Sequence, residues 1–248
     1  MSHQHQAEHL FHGAFAEEYH FLQRICPPAA EMSQRVAEFV GSWKGATSLG
    51  TTVMLELGSG TGITTHALLH HCPDAHLLSV DNAPAMLSQA RERLSGPIGE
   101  GRLELKEVDA LGALKSLSSA SIDIVASAYT LHNFLSGYRH QVLAEIFRVL
   151  RPGGLFVNGD RYALDDPAEH LARTQAELRG YFPVFLNEMA RPDLLEQWVV
   201  HLFSDESEEH IMRFTPALEE LTALGFIEVG AHYRLGVNSL VSGVKPWR

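Results

Sequence analysis

The chain has 248 residues, enough for one large α/β domain or two small ones, and its 45% apolar and 20% charged side chains are the mix of an ordinary soluble globular protein. Thirty acidic against 19 basic side chains give a formal charge of −11, which argues against nucleic acid as a partner because that affinity rests on Lys and Arg neutralising phosphates. Cys26 and Cys72 are too few for a disulfide framework, no apolar run reaches the ~18–20 residues of a transmembrane helix, and Met1–Gln6 has no signal-peptide core. A cytoplasmic protein without membrane contact is expected.

The lead-in, residues 1–49, reads as helical. Phe11, Phe15, Phe21, Leu22 and Ile25 give an imperfect apolar face that Pro27-Pro28 should end, and a second helix is expected from Ala29 to Trp43. From 53 to 160 short apolar runs alternate with helical stretches. The strand candidates are Val53–Leu57, Leu77–Val80, Leu103–Val108, Ile122–Ala126 and Leu155–Val157; the helix candidates are Ile63–His71, Pro84–Leu94 and Tyr138–Leu150. That alternation predicts a doubly wound α/β fold with a parallel sheet covered on both faces. Right-handed crossovers then bring the strand C-termini to one ligand-binding edge. Residues 164–214 interrupt the pattern with a helical, aromatic-rich stretch (Tyr181, Phe182, Phe185, Trp198, Phe203, Phe214), read as a cap whose aromatics form its own core. A helix over Pro216–Leu224 and strands Ile227–Tyr233 and Ser239–Val244 close the chain. The acidic run Ser204–Glu209 is read as a solvated segment. The expected organisation is one domain: lid 1–49, core 50–163, cap 164–214 and closing elements 215–248.

Glu56-Leu57-Gly58-Ser59-Gly60-Thr61-Gly62 follows the first strand and opens a helix. Glycines at such a turn let the backbone bend sharply and approach a ligand. A dinucleotide site would space them G-x-G-x-x-G, whereas here the third glycine comes one place early, and Glu56 suits a cationic ligand better than a pyrophosphate. Asp81 ends the second strand, where a carboxylate can accept both hydroxyls of a ribose. Asp109 ends the third, within reach of an adenine amino group. Pro152-Gly153-Gly154 is expected to turn from helix into the fifth strand.

These features resemble the class I S-adenosylmethionine-dependent methyltransferases. Leu55–Gly62 is similar to the family's first motif and Leu150-Arg151-Pro152-Gly153-Gly154-Leu155 to its fifth-strand signature. The resemblance implies a seven-stranded Rossmann-like sheet of order 3-2-1-4-5-7-6 with the last strand antiparallel, and S-adenosyl-L-methionine as cofactor. It places Gly58, Ser59 and Gly60 at the methionine part, Glu56 near the ammonium, Asp81 at the ribose, Asn82 or Ala83 at the adenine, Asp109 and Ala110 at the adenine amino group, and Ala128 and Tyr129 at the methionine end, with Met86 also among the cofactor-binding residues. Tyr19 and Arg24 would close over the cofactor from the lead-in. Within the class, Leu22-Gln23-Arg24, Asp81–Met86 and Asn238–Val241 are most like the carboxy-S-adenosylmethionine synthase branch and its small-molecule relatives. Methyl transfer to an O or N atom of a small molecule is the expected activity, with a carboxy-S-adenosylmethionine-type synthase or a non-catalytic cofactor-binding protein as alternatives.

Three side chains near strand ends are catalytic candidates. His132, past the fourth strand, titrates near neutrality and could take a proton. Arg161 could hold a substrate carboxylate, and Tyr162 follows it at the same edge. Fifteen histidines are many for this length, and five fall in the first 20 residues. His66 and His70 share a helix face, but no Asp/Glu–His partner motif accompanies them, so no metal is expected. The oligomer is left open, with a homodimer paired through the apolar cap as one option.

Overall fold

The computed structural model describes residues 27–43 and 51–247. Tyr19, Arg24 and the first lead-in helix lie outside them. α1 (Pro27–Ser42) begins at the prolines expected to end a helix. Proline suits a first helical turn, where its missing N–H would have no intrahelical partner anyway.

The core alternates β1 (Val53–Leu57), α2 (Ile63–His71), β2 (His76–Asp81), α3 (Pro84–Arg93), the short α4 (Ser95–Gly99), β3 (Leu103–Glu107), α5 (Ala110–Ser116), β4 (Ile122–Ala128), α6 (Ser136–Val149) and β5 (Leu150–Arg161). The cap follows as α7 (Pro167–Phe182), a π-helical turn over Pro183–Glu188 and α8 (Pro192–Asp205). α9 (Phe214–Ala223), β6 (Ile227–Leu235) and β7 (Asn238–Val244) complete the fold. The sheet order is β3-β2-β1-β4-β5-β7-β6, and only β7 runs antiparallel to its neighbours. This is the expected seven-stranded fold.

Two differences have local causes. β5 is longer than its apolar run because Pro152–Gly154 lies inside it: the Gly153 N–H donates to the Lys245 carbonyl, and the ladder shifts between Ile122 and Ile124 of β4. α5 was not expected from its short apolar pattern. It starts because the Asp109 carboxylate accepts the Gly112 N–H.

Alternation along the strands divides the core between the sheet faces. Leu55, Leu57, Val125 and Phe156 pack under α5, α6 and α9, whereas Met54, Leu77, Ile124 and Val157 pack under α1, α2 and α3. The inner strands are buried on both faces, as a parallel sheet between helical layers requires. The cap has its own small core: Tyr181, Phe185 and Trp198 stack at centroid distances of 6.1–6.4 Å above Leu194 and Leu202. Tyr181 and Phe185 are thus cap core as expected, while Phe182 and Phe203 are exposed. Among the described residues no helix is long and apolar enough to cross a membrane.

α1 lies unusually close to the sheet. A Cβ added to Gly159 of β5 would stand 2.5 Å from Met32 Cγ and 2.6 Å from Val36 Cγ2, both on α1. Gly159→Ala is therefore expected to lower the unfolding free energy by about 1–3 kcal/mol through overpacking, read as a lower denaturant midpoint at unchanged slope.

Candidate functional site

The C-terminal ends of β1, β2, β3 and β4 surround a cleft of about 700 Å³, part of it open to solvent. Gly58 and Gly60 sit at its floor in left-handed backbone, φ 77° and 49°. A Cβ on Gly58 would collide with Thr130, so that glycine allows the close approach of two loops. A Cβ on Gly60 would meet no protein atom within 4 Å and would stand in open space. The Asp81 side chain accepts the Gly60 N–H through Oδ2 and the Ala83 N–H through Oδ1, both at 2.8 Å, which holds the glycine turn against the β2 end. Burial pushes its pKa up, against these backbone donors.

Asn82, Met86, Asp109, Ala110, Ala128 and Tyr129 line the same cleft. Nine of the expected cofactor residues are thereby gathered at one site. Asp109 also caps α5, and its Oδ1 accepts the Tyr138 hydroxyl. Tyr129 carries a φ of 49°, uncommon for a bulky residue. It is pinned by a hydrogen bond from its N–H to the Gly159 carbonyl and from its hydroxyl to Asn238 Oδ1. Asn133, Thr130 and Phe134 line the cleft without having been singled out from the sequence. The signal was available only as position, in the loop after β4.

Glu56 and Ser59 are not among the lining residues. Glu56 is wholly buried beneath the glycine turn, where its Oε2 accepts hydroxyls from Thr65 on α2 and Ser79 on β2, each at 2.6 Å. It therefore ties β1, β2 and α2 together. Burial raises its pKa from 4.5 to about 7, opposed by the two hydroxyls and helped by nearby Asp81.

The expected catalytic side chains occupy a second layer behind the cleft wall. Asp160, fully buried on β5, accepts the N–H groups of Leu131 (2.9 Å) and His132 (3.3 Å) through Oδ2, and contacts His132 Nδ1 through Oδ1 at 2.6 Å. Burial disfavours charge on His132, but the Asp160 charge and hydrogen bond outweigh it and the pKa is raised. The other ring nitrogen, Nε2, faces Asp205 of α8 at 3.9 Å. Arg161 does not face an open substrate space. Its guanidinium binds both Glu177 oxygens from one nitrogen and Glu206 from another, anchoring the cap to β5. Tyr162 is 2% exposed, and its hydroxyl accepts from Asn158 Nδ2. Burial and Asp160 push its pKa well above the usual tyrosine range. Both of these side chains are occupied in the structure rather than presented to a ligand. His66 and His70 lie on the exposed or partly covered back of α2, with no carboxylate placed beside them in the described structure.

The residues present fit an adenosyl group. Gly60 leaves a cradle that a side chain would fill, a carboxylate stands at each of the β2 and β3 ends, and Asn133 Oδ1 is buried without a hydrogen-bond partner at the cleft wall. Comparison with known proteins agrees. Residues 54–154 match the methyltransferase-domain family. The carboxy-S-adenosyl-L-methionine synthase of Pseudomonas fluorescens (strain SBW25) is 29% identical over 161 residues, covering 59% of this chain and 65% of that protein. Its counterpart in Pseudomonas syringae pv. syringae is 28% identical over the same shares. The chain thus spans just under two thirds of the length of these curated relatives. Among solved structures, an O-methyltransferase family protein from Burkholderia thailandensis superimposes with a TM-score of 0.61 at 16% identity, over 94% of this chain and 60% of that one. Human N-acetylserotonin methyltransferase in complex with SAM does so with a TM-score of 0.57 at 15% identity, over 93% and 55%.

The fold, with its sheet order β3-β2-β1-β4-β5-β7-β6, is shared with these solved methyltransferases. Residues 54–154 of this chain are similar to a methyltransferase domain, and one of the neighbours that share the fold was solved in complex with SAM.

The buried Glu56 has a measurable consequence. Its folded-state pKa lies above the unfolded value, so its contribution to stability is fully present below about pH 4.5 and is lost as pH rises through about 7. Glu56→Gln is expected to flatten that decline, which is on the order of 3 kcal/mol, in unfolding free energies measured from pH 4.5 to 8. A variant that keeps the wild-type slope would show that Glu56 is not the group responsible.

Proposed function

We propose that this chain transfers the methyl group of S-adenosyl-L-methionine to an O or N atom of a small molecule. The observation that carries the reading is the cleft itself: a left-handed glycine turn braced by Asp81 at the β2 end, with Asp109 and Ala110 at the next strand end. When bound, the cofactor supplies a methyl group already activated on a positively charged sulfur. Asp81 would accept ribose hydroxyls with the lone pairs its backbone donors leave. Gly60 would give the methionine part backbone contact without a side chain in the way. Ala110 and Met86 would bound the base.

The chain's remaining task is to hold the acceptor atom in line, because bringing reacting atoms to about 3–3.5 Å supplies much of the rate in such a displacement. Tyr129, Asn133 and Phe134 form the wall on that side, with His132 behind them beneath the cap. Strong negative charge and a cap with its own aromatic core support a small-molecule acceptor. Neither nucleic acid nor membrane is part of the reading, and a homodimer through the exposed cap residues Phe203 and Val200 remains a proposal.

The sequence relatives favour a second reading, carboxy-S-adenosyl-L-methionine synthesis. Methyl transfer is preferred because Arg161, the side chain expected to grip a carboxylate, is neutralised by Glu177 and Glu206. Mass spectrometry of the nucleoside that co-purifies separates the two, since a carboxylated sulfonium is heavier.

In calorimetry, S-adenosylhomocysteine should bind the wild-type chain, and Gly60→Ala should weaken it about tenfold or more because the new Cβ occupies the cradle. Tight binding of NADH with no heat from either adenosyl compound would overturn the assignment. In a screen of methyl acceptors, His132→Ala should lower kcat about 100-fold while cofactor affinity stays within about twofold.

A further inference from the structure

Behind the cleft wall three side chains from two separate elements converge. His132 comes from the turn after β4, and His201 and Asp205 are one helical turn apart on α8. His132 Nε2 lies 3.9 Å and His201 Nε2 3.6 Å from Asp205 Oδ2, and the three ligand atoms all fall within 4.8 Å of one another. Their side chains are 10%, 9% and 8% exposed. Asp205 thus stands between the two imidazoles, each at ion-pair rather than hydrogen-bond distance. A shared ion would draw the three groups in, since ligands ~2.0–2.1 Å from a tetrahedral centre stand about 3.3–3.4 Å apart.

The surroundings support the same reading. His132 Nδ1 is held at 2.6 Å by Asp160, which is itself fixed by backbone N–H groups and by Asn158. A carboxylate on the far nitrogen of an imidazole sets the tautomer that offers Nε2 as a lone pair, the usual support of a metal-binding histidine. The turn and the cap are also locked together. Buried Arg139 donates to the carbonyls of Leu131 and Phe134 on one side and His210 and Ile211 on the other.

We propose that His132 Nε2, His201 Nε2 and the Asp205 carboxylate bind one divalent ion of the zinc type. Two imidazoles and a carboxylate suit Zn²⁺ or Co²⁺ rather than Mg²⁺ or Ca²⁺, which prefer all-oxygen shells. Three protein ligands leave one position open, the arrangement of an ion that takes up a small-molecule oxygen. The ion would sit at the junction of cleft and cap and tie the cap down from its inner side. The ion site engages both ring nitrogens of His132, so this side chain would position the cleft wall rather than move a proton, and the site can be read without any cofactor.

The test is a titration of the chelator-stripped, full-length protein with Co²⁺ and Zn²⁺. The visible ligand-field bands of Co²⁺ should saturate at one ion per chain, and Zn²⁺ should displace them. His201→Ala and Asp205→Asn should each weaken this binding about 100-fold or more, and Asp160→Asn about 10–100-fold. The double variant His66→Ala/His70→Ala should leave the site intact. Circular dichroism melts show which variants fold, and His201→Ala with Asp205→Asn gives two independent chances of a folded one. Absence of a saturable band in the wild-type protein overturns the proposal. So does a band that survives in folded His201→Ala and Asp205→Asn, because the ion would then reside on other histidines.

Discussion

The buried carboxyl group of Asp160 organises the functional end of the molecule. It sits at the end of β5 with no exposure, where an unpaired carboxylate would be strongly unfavourable. It is tolerated because Leu131, His132 and Arg161 give it backbone N–H groups, Asn158 an amide and His132 an imidazole nitrogen. Those same bonds fix the path of the chain after β4. The turn carries Tyr129, Thr130, Asn133 and Phe134 to the cleft wall while it holds His132 behind them.

The neighbouring residue does the complementary work. Arg161 gathers Glu177 of α7 and Glu206 at the end of α8. His170 reaches Glu206 from α7, so an anionic pair, an arginine and a histidine form one network beneath the cap. Losing the arginine would leave two partly buried carboxylates with only Tyr181 and His170 beside them, which is why such a network specifies where an element docks more than how strongly it does. With Arg139 tying the turn to the segment after α8, the cap is held at both its ends rather than hinged at one.

The glycine turn is built differently, its two carboxyls being held by hydroxyls and backbone N–H groups. Glu56 lies under the turn with hydroxyls for partners, and Asp81 beside it accepts only backbone N–H groups in the described structure. Burial raises the pKa of both carboxyls. Asp81 lines the cleft and Glu56 lies beneath it, so the turn is braced from the edge and from below.

The parallel sheet and the cofactor edge were legible in the chain because they rest on local rules. Val53–Leu57 and Ile122–Ala126 are short apolar runs with one carboxylate in each, Gly58 and Gly60 mark a turn that needs left-handed backbone, and Asp81 and Asp109 stand at strand ends by position alone. α5 was not legible, because its start depends on one side-chain cap rather than on an apolar period. Nor were the partners of Arg161, or the meeting of His132 with His201 and Asp205. These join residues 16 to 73 positions apart through the docking of the cap. Local sequence dictates which strand ends face the ligand; only packing of helix against sheet decides which side chains are used up in holding the structure and which are left facing one another.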